Sequence, residues 1–122
     1  MDIFFGPRDF IIMIGPTKSM DLLIKKMGWQ VARTERLGQN IANVDSPGSK
    51  RVDIAPFDKI VKEMQGNKRS ITSFKSITSS EEIARESEIM KMTETVSDYQ
   101  SNLQIFKKYL GLMKTVIGKT SG

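Results

Sequence analysis

A repeat of apolar residues in the last third of the chain constrains the fold more strongly than any other feature. Between Ile89 and Ile117, an apolar side chain recurs at alternating steps of three and four residues. This apolar seam consists of Ile89, Met92, Val96, Tyr99, Leu103, Phe106, Leu110, Met113 and Ile117. The spacing averages 3.5 residues, which is the period of helices that pack side by side and supercoil. The seam therefore predicts a long helix, and no proline interrupts it.

The residues around the seam predict that this helix runs from about residue 80 to 118. Ser79 and Glu82 have the spacing of a capping box just before the first apolar residue. Residues 81–98 hold six acidic and two basic side chains, whereas residues 99–122 hold four basic and no acidic ones. Acidic residues at the start and basic residues at the end match the dipole of a single helix.

A second long helix is predicted from about residue 19 to 44. Ser19 is a favourable N-cap, because its side chain can accept a hydrogen bond from the first turn. Eight positions follow one another at alternating steps of three and four residues, and six of them are apolar. They are Met20, Leu23, Met27, Gln30, Thr34, Leu37, Ile41 and Val44. The turn-forming run from Asp45 to Gly48 then ends the helix.

The remaining segments lack such regularity. Residues 1–18 are predicted to form a flexible apolar arm, because glycine–proline pairs break it and its longest uncharged run is too short to span a membrane. Residues 45–79 are predicted to form a polar, partly irregular segment. One short helix is expected within it, carrying at helical spacing Phe57, Ile60, Val61 and Met64.

These elements predict an all-α fold in which two long, antiparallel, coiled-coil-forming helices are joined by the middle segment. Residues 19–122 would form one helical domain. A single helix hairpin buries little apolar surface, so assembly with other copies is favoured. The alternative is a three-helix bundle that uses residues 57–64 as its third helix.

The composition excludes several classes of chemistry. The chain has no Cys and no His, which removes thiolate nucleophiles, Ser-His triads, zinc fingers and disulfide scaffolds. The remaining candidates for acid–base chemistry or for binding a hard metal ion are Glu81, Glu82, Glu86 and Glu88. Their place in the first turns of a helix explains them more simply. We therefore predict that the chain is not an enzyme and has no catalytic residue, metal site or cofactor.

The net charge of +5 raises the question of nucleic-acid binding. The basic residues are spread along the chain, and no aromatic residues are interleaved with them to stack on bases. Neither nucleic-acid binding nor membrane insertion is therefore predicted. The alternative is a small basic helical binding module whose affinity would fall steeply with salt, using Lys25, Lys26, Arg33 and Arg36.

The end of the first predicted helix carries the most specific motif in the chain. The motif consists of Asn40, Ile41, Ala42, Asn43, Ser46, Pro47 and Gly48. Asn40 and Asn43 are three residues apart, so they share a helix face and can bond backbone carbonyls near the helix end. The alternative interpretation is an ordinary helix stop with two solvated asparagines.

The motif resembles the signature of flagellar rod, hook and hook–filament junction proteins, in which it ends the N-terminal coiled-coil helix. The run from Glu88 to Met92, the pair Tyr99-Gln100 and the run from Lys107 to Gly118 are similar to the C-terminal helix of the proximal rod protein family, FlgB. The short chain also favours this family, since distal rod and hook proteins carry large inserted domains. The chain departs from the family at Ser49, where members usually carry an aromatic residue.

This resemblance implies a rod-type domain whose copies assemble through their N- and C-terminal helices into the tubular drive-shaft of the flagellar basal body, where it transmits torque for motility. The motif would then serve assembly, and the apolar seam would pack neighbouring subunits. The implied partners are other copies, other flagellar rod proteins, the rod–MS-ring adaptor and the flagellar type III export gate. The implied location is the rod as it crosses the periplasm, reached without a cleaved signal peptide. Another axial rod protein of the same group is the alternative.

Overall fold

A computed structural model describes residues 7–67 and 74–121 as two long helices that flank a short mixed region. In chain order, the elements are α1 (Pro7–Ala42), β1 (Lys50–Ile54), α2 (Phe57–Asn67), β2 (Ser76–Glu82) and α3 (Arg85–Ser121). The long helices α1 and α3 contain 36 and 37 residues. At a rise of about 1.5 Å per residue, each is roughly 55 Å long. The prediction of two long helices with a short helix between them is confirmed.

α1 and α3 lie side by side and run in opposite directions. Asn40, near the end of α1, contacts Glu88, near the start of α3. Further along, Gln30 of α1 contacts Asn102 of α3. Because the partner numbers fall on one helix as they rise on the other, the two helices form an antiparallel pair.

α1 begins at Pro7, well before the predicted start near residue 19. Proline is favourable in the first helical turn, where its missing N–H is not needed. The pair Gly15-Pro16 lies inside α1. A proline within a helix removes one backbone hydrogen bond, but α1 continues through it. The prediction of a separate arm over residues 1–18 is therefore corrected for residues 7–18, while residues 1–6 lie outside the described part.

α1 ends at Ala42, close to the predicted boundary, and a turn follows. The Ser46 N–H donates to the carbonyl of Asn43 at 3.0 Å. Gly48 has a φ of 75°, in the left-handed region that glycine adopts without the steric cost of a Cβ. The turn directs the chain back along α1 and into β1.

The two strands correct the prediction of an all-α fold. β1 and β2 pair as an antiparallel two-stranded sheet, in which Asp53 lies opposite Ile77 and Ile54 lies opposite Ser76. β1 is only five residues long, and β2 is composed mainly of Ser, Thr and Glu. Neither strand carries a long apolar alternation, so pairing between distant segments defines the sheet rather than local periodicity.

The predicted capping box lies in β2 and not at the start of a helix. The Ser79 Oγ accepts a hydrogen bond from the Glu81 N–H at 3.0 Å. α3 begins at Arg85, and the Glu88 N–H donates to the carbonyl of Ala84 at 3.0 Å. The pairing of β2 with β1 thus moves the helix start about one turn beyond the predicted residue 80.

The apolar core is small and lies where α1, β1 and α2 meet. Among the residues whose side chains are described, its buried members are Leu37, Ile54, Ala55 and Ile60. The Trp29 indole N–H donates to the carbonyl of Ala55 at 2.8 Å, and the Trp29 ring lies 6.0 Å from the ring of Phe57. The first turn of α2 is therefore anchored on α1.

Candidate functional site

A fully buried carboxylate lies between the two long helices. Glu88, on α3, exposes 1% of its surface and is the one charged residue in the buried class among the described side chains. Its Oε1 accepts a hydrogen bond from the Nε of Arg51 at 2.6 Å, and its Oε2 accepts one from the Nδ2 of Asn40 at 3.1 Å. A buried charge is costly unless it is paired and hydrogen-bonded, and here both oxygens have partners.

Asn40 connects this carboxylate to β1. Its Nδ2 also donates to the Val52 carbonyl at 2.8 Å, and its Oδ1 accepts the Val52 N–H at 3.1 Å. The side-chain amide thus satisfies the backbone of β1 on one side and Glu88 on the other. The sequence predicts a bond to a carbonyl near the helix end, whereas the structure places Asn40 on a carbonyl of β1.

A second carboxylate extends the hydrogen bonding along β1. Asp53 accepts two hydrogen bonds from Arg33 of α1, at 3.1 and 3.2 Å, and a third from Arg51 at 3.0 Å. Arg33 also donates from Nη1 to the Oγ1 of Thr95, on α3, at 3.4 Å. We call the connected set the polar clamp, and its members are Arg33, Asn40, Arg51, Asp53, Glu88 and Thr95.

The charges within the polar clamp balance at neutral pH. Burial raises the pKa of Asp53, but hydrogen bonds from Arg33, from the Ile54 N–H and from Arg51 outweigh it, so this pKa lies below its ordinary value of 3.8. The hydrogen bond to Glu88 raises the pKa of Arg51 against the opposing effect of desolvation. Each of the two arginines is thus paired with a carboxylate: Arg33 with Asp53, and Arg51 with both Asp53 and Glu88.

The interface between α1 and α3 is polar over most of its buried part. The Asn102 Nδ2 donates to the Gln30 Oε1 at 3.1 Å, and the Arg33 Nη1 donates to the Thr95 Oγ1 at 3.4 Å. Sliding one helix against the other would separate these partners and leave buried polar groups unsatisfied. The arrangement holds the two helices in one register.

The apolar seam is divided by this packing. Met92, Tyr99, Leu103 and Phe106 are half-buried, whereas the exposed members are Ile89, Val96, Leu110, Met113 and Ile117. The helix pair thus partly buries four seam positions between Met92 and Phe106, and it leaves Val96 and both ends of the seam exposed. A role of the seam in packing subunits stays a prediction.

The motif at the end of α1 is divided in the same way. Asn40 is buried and Ile41 is half-buried, whereas Ala42, Asn43 and the turn residues Ser46, Pro47 and Gly48 are exposed. Asn40 and Asn43 therefore do not act as a pair, because only Asn40 is directed into the polar clamp. A role of the exposed residues in assembly stays a prediction.

The alternative candidates from the sequence do not come together. Glu81, Glu82 and Glu86 are exposed on β2 and α3, away from the buried Glu88, and the described residues contain no cluster of three or more acidic side chains that could hold a metal ion. The four basic residues of the binding-module alternative are individually engaged. Their partners are Asp21 for Lys25 at 2.9 Å, the Phe57 ring for Lys26 at 6.0 Å, Asp53 for Arg33 and Gln39 for Arg36 at 2.7 Å.

A groove opens beside the polar clamp, between α1, α2 and α3. It encloses about 800 Å³. We call it the three-helix groove, and its walls include Lys26, Trp29, Phe57, Val61, Glu94 and Asp98. Trp29, Phe57 and Val61 supply an apolar floor, while Glu94 and Asp98 form an acidic wall on α3.

Reasoning from the sequence missed Arg51 and Asp53 and the burial of Glu88. One signal was present in the run Arg51 to Ile54, where charged and apolar residues alternate. In a strand this alternation places Arg51 and Asp53 on one face and the two apolar side chains on the other. Two opposite charges on one strand face indicate that this face forms ion pairs or hydrogen bonds with a neighbouring element.

Comparisons with known proteins add no assignment. No protein-family model matches this chain, and no curated protein is significantly similar to it. Among the described residues, none of the helices is apolar over a length that would cross a membrane.

Proposed function

We propose that this chain is a structural subunit of the proximal rod of the bacterial flagellar basal body, where copies assemble through α1 and α3 into a drive-shaft. The motif from Asn40 to Gly48 and the similarity of α3 to the C-terminal helix of the rod group support this proposal. Its partners would be further copies, other rod proteins, the rod–MS-ring adaptor and the type III export gate. Coiled-coil packing between neighbouring copies would use the apolar seam.

The observation that carries the proposal is the exposure of large apolar side chains on α3. Leu112 is 64% exposed and Met113 is 49% exposed, and Leu110 beside them is also in the exposed class. Several exposed large apolar side chains within one short helical segment favour a site of protein–protein contact. Such a surface suits a subunit that is completed by its neighbours.

The polar clamp supports the mechanical part of the proposal. A drive-shaft must transmit torque without its subunits shearing internally. Rotation or sliding of α3 against α1 would separate Glu88 from Arg51 and Asn40, and an uncompensated buried charge is strongly unfavourable. The clamp would therefore make each helix pair a stiff unit within the assembly.

The test is to detect the chain in isolated basal bodies. We expect a chromosomally tagged chain to purify with basal bodies from the source bacterium, and a deletion strain to lose motility and the rod. A deletion strain that swims, or a tagged chain that is absent from basal bodies, would overturn the proposal. Electron cryotomography of the tag would separate a proximal position from that of another axial rod protein.

A matched pair of variants tests the seam in the same cells. Leu103→Asp places a charge on the half-buried middle of the seam, so we expect motility to be lost while the chain is still synthesised. Gln104→Asp adds the same charge at the exposed neighbouring position, and we expect this strain to swim. Equal swimming of both strains would mean that this face of the seam is not buried, either within the helix pair or between subunits.

A further inference from the structure

The exposed charges of α3 change sign along the helix. Glu94 and Asp98 lie in the first half, and Lys108 lies in the second half; all three are exposed. None of them forms an ion pair within the described part of the chain. One helix therefore presents free negative charge at one level and free positive charge at another.

These charges belong to a single stripe. Glu94, Asp98, Ser101, Ile105, Lys108 and Leu112 follow one another at alternating steps of four and three residues, and all six are exposed. This spacing places them on one helix face. The stripe differs from the apolar seam, because it is acidic near its start and combines apolar with basic residues near its end.

The acidic part of this stripe forms one wall of the three-helix groove. Glu94 and Asp98 stand there opposite the apolar floor that Trp29, Phe57 and Val61 provide. The second part of the stripe has the complementary composition. Ile105, which is 42% exposed, and Leu112 are apolar, and Lys108 lies between them.

We infer that the three-helix groove receives the second part of the α3 stripe from a second copy of this chain, with the two α3 helices parallel and staggered by 14 residues. The stagger is two heptads, so the stripe positions of the two copies stay in register. Lys108 of one copy then lies beside Glu94 of the next. At about 1.5 Å per residue the offset is roughly 21 Å. Ile105 and Leu112 pack toward the apolar floor, as an amphipathic helix does in a groove.

This arrangement rests on the proposed function, in which copies of the chain assemble into a rod. A head-to-tail contact repeats from copy to copy and therefore builds an open assembly. Each copy offers a groove at one level and a complementary stripe at another, so every copy can bind two neighbours. An antiparallel pairing of the same stripes would also match acid with base, but it would close into a dimer and stop there.

The test uses cross-linking, to which the chain is well suited because it contains no Cys. In the double variant Glu94→Cys/Lys108→Cys, the two thiols lie roughly 21 Å apart on one helix, too far for a bond within one copy. On mild oxidation of the full-length double variant, we expect a ladder of dimers, trimers and higher species on a non-reducing gel. The matched control is Glu94→Cys/Lys107→Cys, in which the second thiol is moved by one residue off the stripe, and it should give no ladder.

Two outcomes overturn the inference: cross-linking that stops at the dimer, which indicates the closed antiparallel pair, and the absence of any difference from the control. A charge exchange provides a second readout. Glu94→Lys and Lys108→Glu should each weaken association about tenfold in sedimentation velocity, and combining them should restore it, since the pair is coupled. Additive losses in the combined variant would contradict the pairing.

The outcomes separate this inference from the proposed function. A chain that is found in basal bodies but forms no ladder overturns the stagger alone. A ladder from a chain that is absent from basal bodies overturns the flagellar assignment alone.

Discussion

In the first half of α3, from Arg85 to Asn102, the buried side chains are polar, whereas in the second half, from Leu103 onward, apolar side chains such as Leu112 and Met113 are exposed. A solitary folded domain usually shows the opposite arrangement. The first half also exposes Ile89, Met90 and Val96, but each of its buried polar groups has a hydrogen-bond partner within the chain. The second half carries the surface that a neighbour would cover.

The sheet accounts for this difference. β1 lies beside the first half of α3 and provides Arg51 as the partner of Glu88. The contact of Gln30 with Asn102 lies near the boundary between the two halves. The buried carboxylate of Glu88 is therefore tolerated because β1 and α1 together satisfy it.

The largest effect on stability is expected from removing the buried carboxylate. Glu88→Ala leaves the Arg51 guanidinium, whose side chain is 11% exposed, without its shortest ion pair and removes an acceptor from Asn40. We expect the free energy of unfolding to fall by about 3–5 kcal/mol, as measured by urea denaturation followed by circular dichroism. Leu112→Ala in the second half is the control. Equal losses in both variants would contradict the distinction between the two halves.

A smaller loss is expected at Asn40, and it can be compared with Asn43 three residues later. Asn40→Ala leaves the Val52 N–H and carbonyl without their side-chain partner, which should cost about 1–3 kcal/mol. Asn43→Ala removes an exposed amide and should change the free energy of unfolding by less than about 0.5 kcal/mol. Similar values for the two variants would support the alternative interpretation, in which the motif is an ordinary helix stop with two solvated asparagines.

A pH titration tests the charges of the polar clamp. The pKa of Asp53 is lower in the folded chain than its ordinary value of 3.8, so the folded state binds fewer protons than the unfolded state between these two values. The contribution of Asp53 to stability is complete above pH 3.8 and is lost as the pH falls through the lower, folded pKa. We expect Asp53→Asn to flatten the decline of the free energy of unfolding in this range. A decline as steep as that of the wild-type chain would show that Asp53 is not stabilised as an anion.

The smallest effect on stability is expected in the second half of α3. Leu112→Ser replaces a 64% exposed side chain, so the free energy of unfolding of the monomer should change by less than about 0.5 kcal/mol. Association should nevertheless weaken, because the proposed contact between copies uses this apolar surface. Sedimentation velocity at several concentrations measures this loss. A large loss of monomer stability with unchanged association would reverse the roles assigned to the two halves.

Much of the helical framework could be predicted from the sequence, whereas the sheet could not. The apolar periodicity located α3 and the short helix α2, and the run from Asp45 to Gly48 located the end of α1. The run Ser79 to Glu82 was misassigned as a capping box, because its local spacing suits a helix start equally well. Only the pairing of β2 with β1 distinguishes the two structures, and pairing is not a local property.

Two long helices, a turn over residues 45–48 and the absence of thiol and imidazole chemistry are all predictable from the sequence. These features follow from side-chain spacing, backbone sterics and composition, which act within a few residues. The burial of Glu88 and Asn40, with Arg51 as a partner of Glu88 and Val52 as a partner of Asn40, follows from tertiary packing alone. Asn40 bonds residues 12 and 48 positions away, and Arg51 bonds one 37 positions away. An amide or carboxylate on a helix surface has the same local pattern whether it is solvated or paired, so only the approach of β1 and α3 determines which state it adopts.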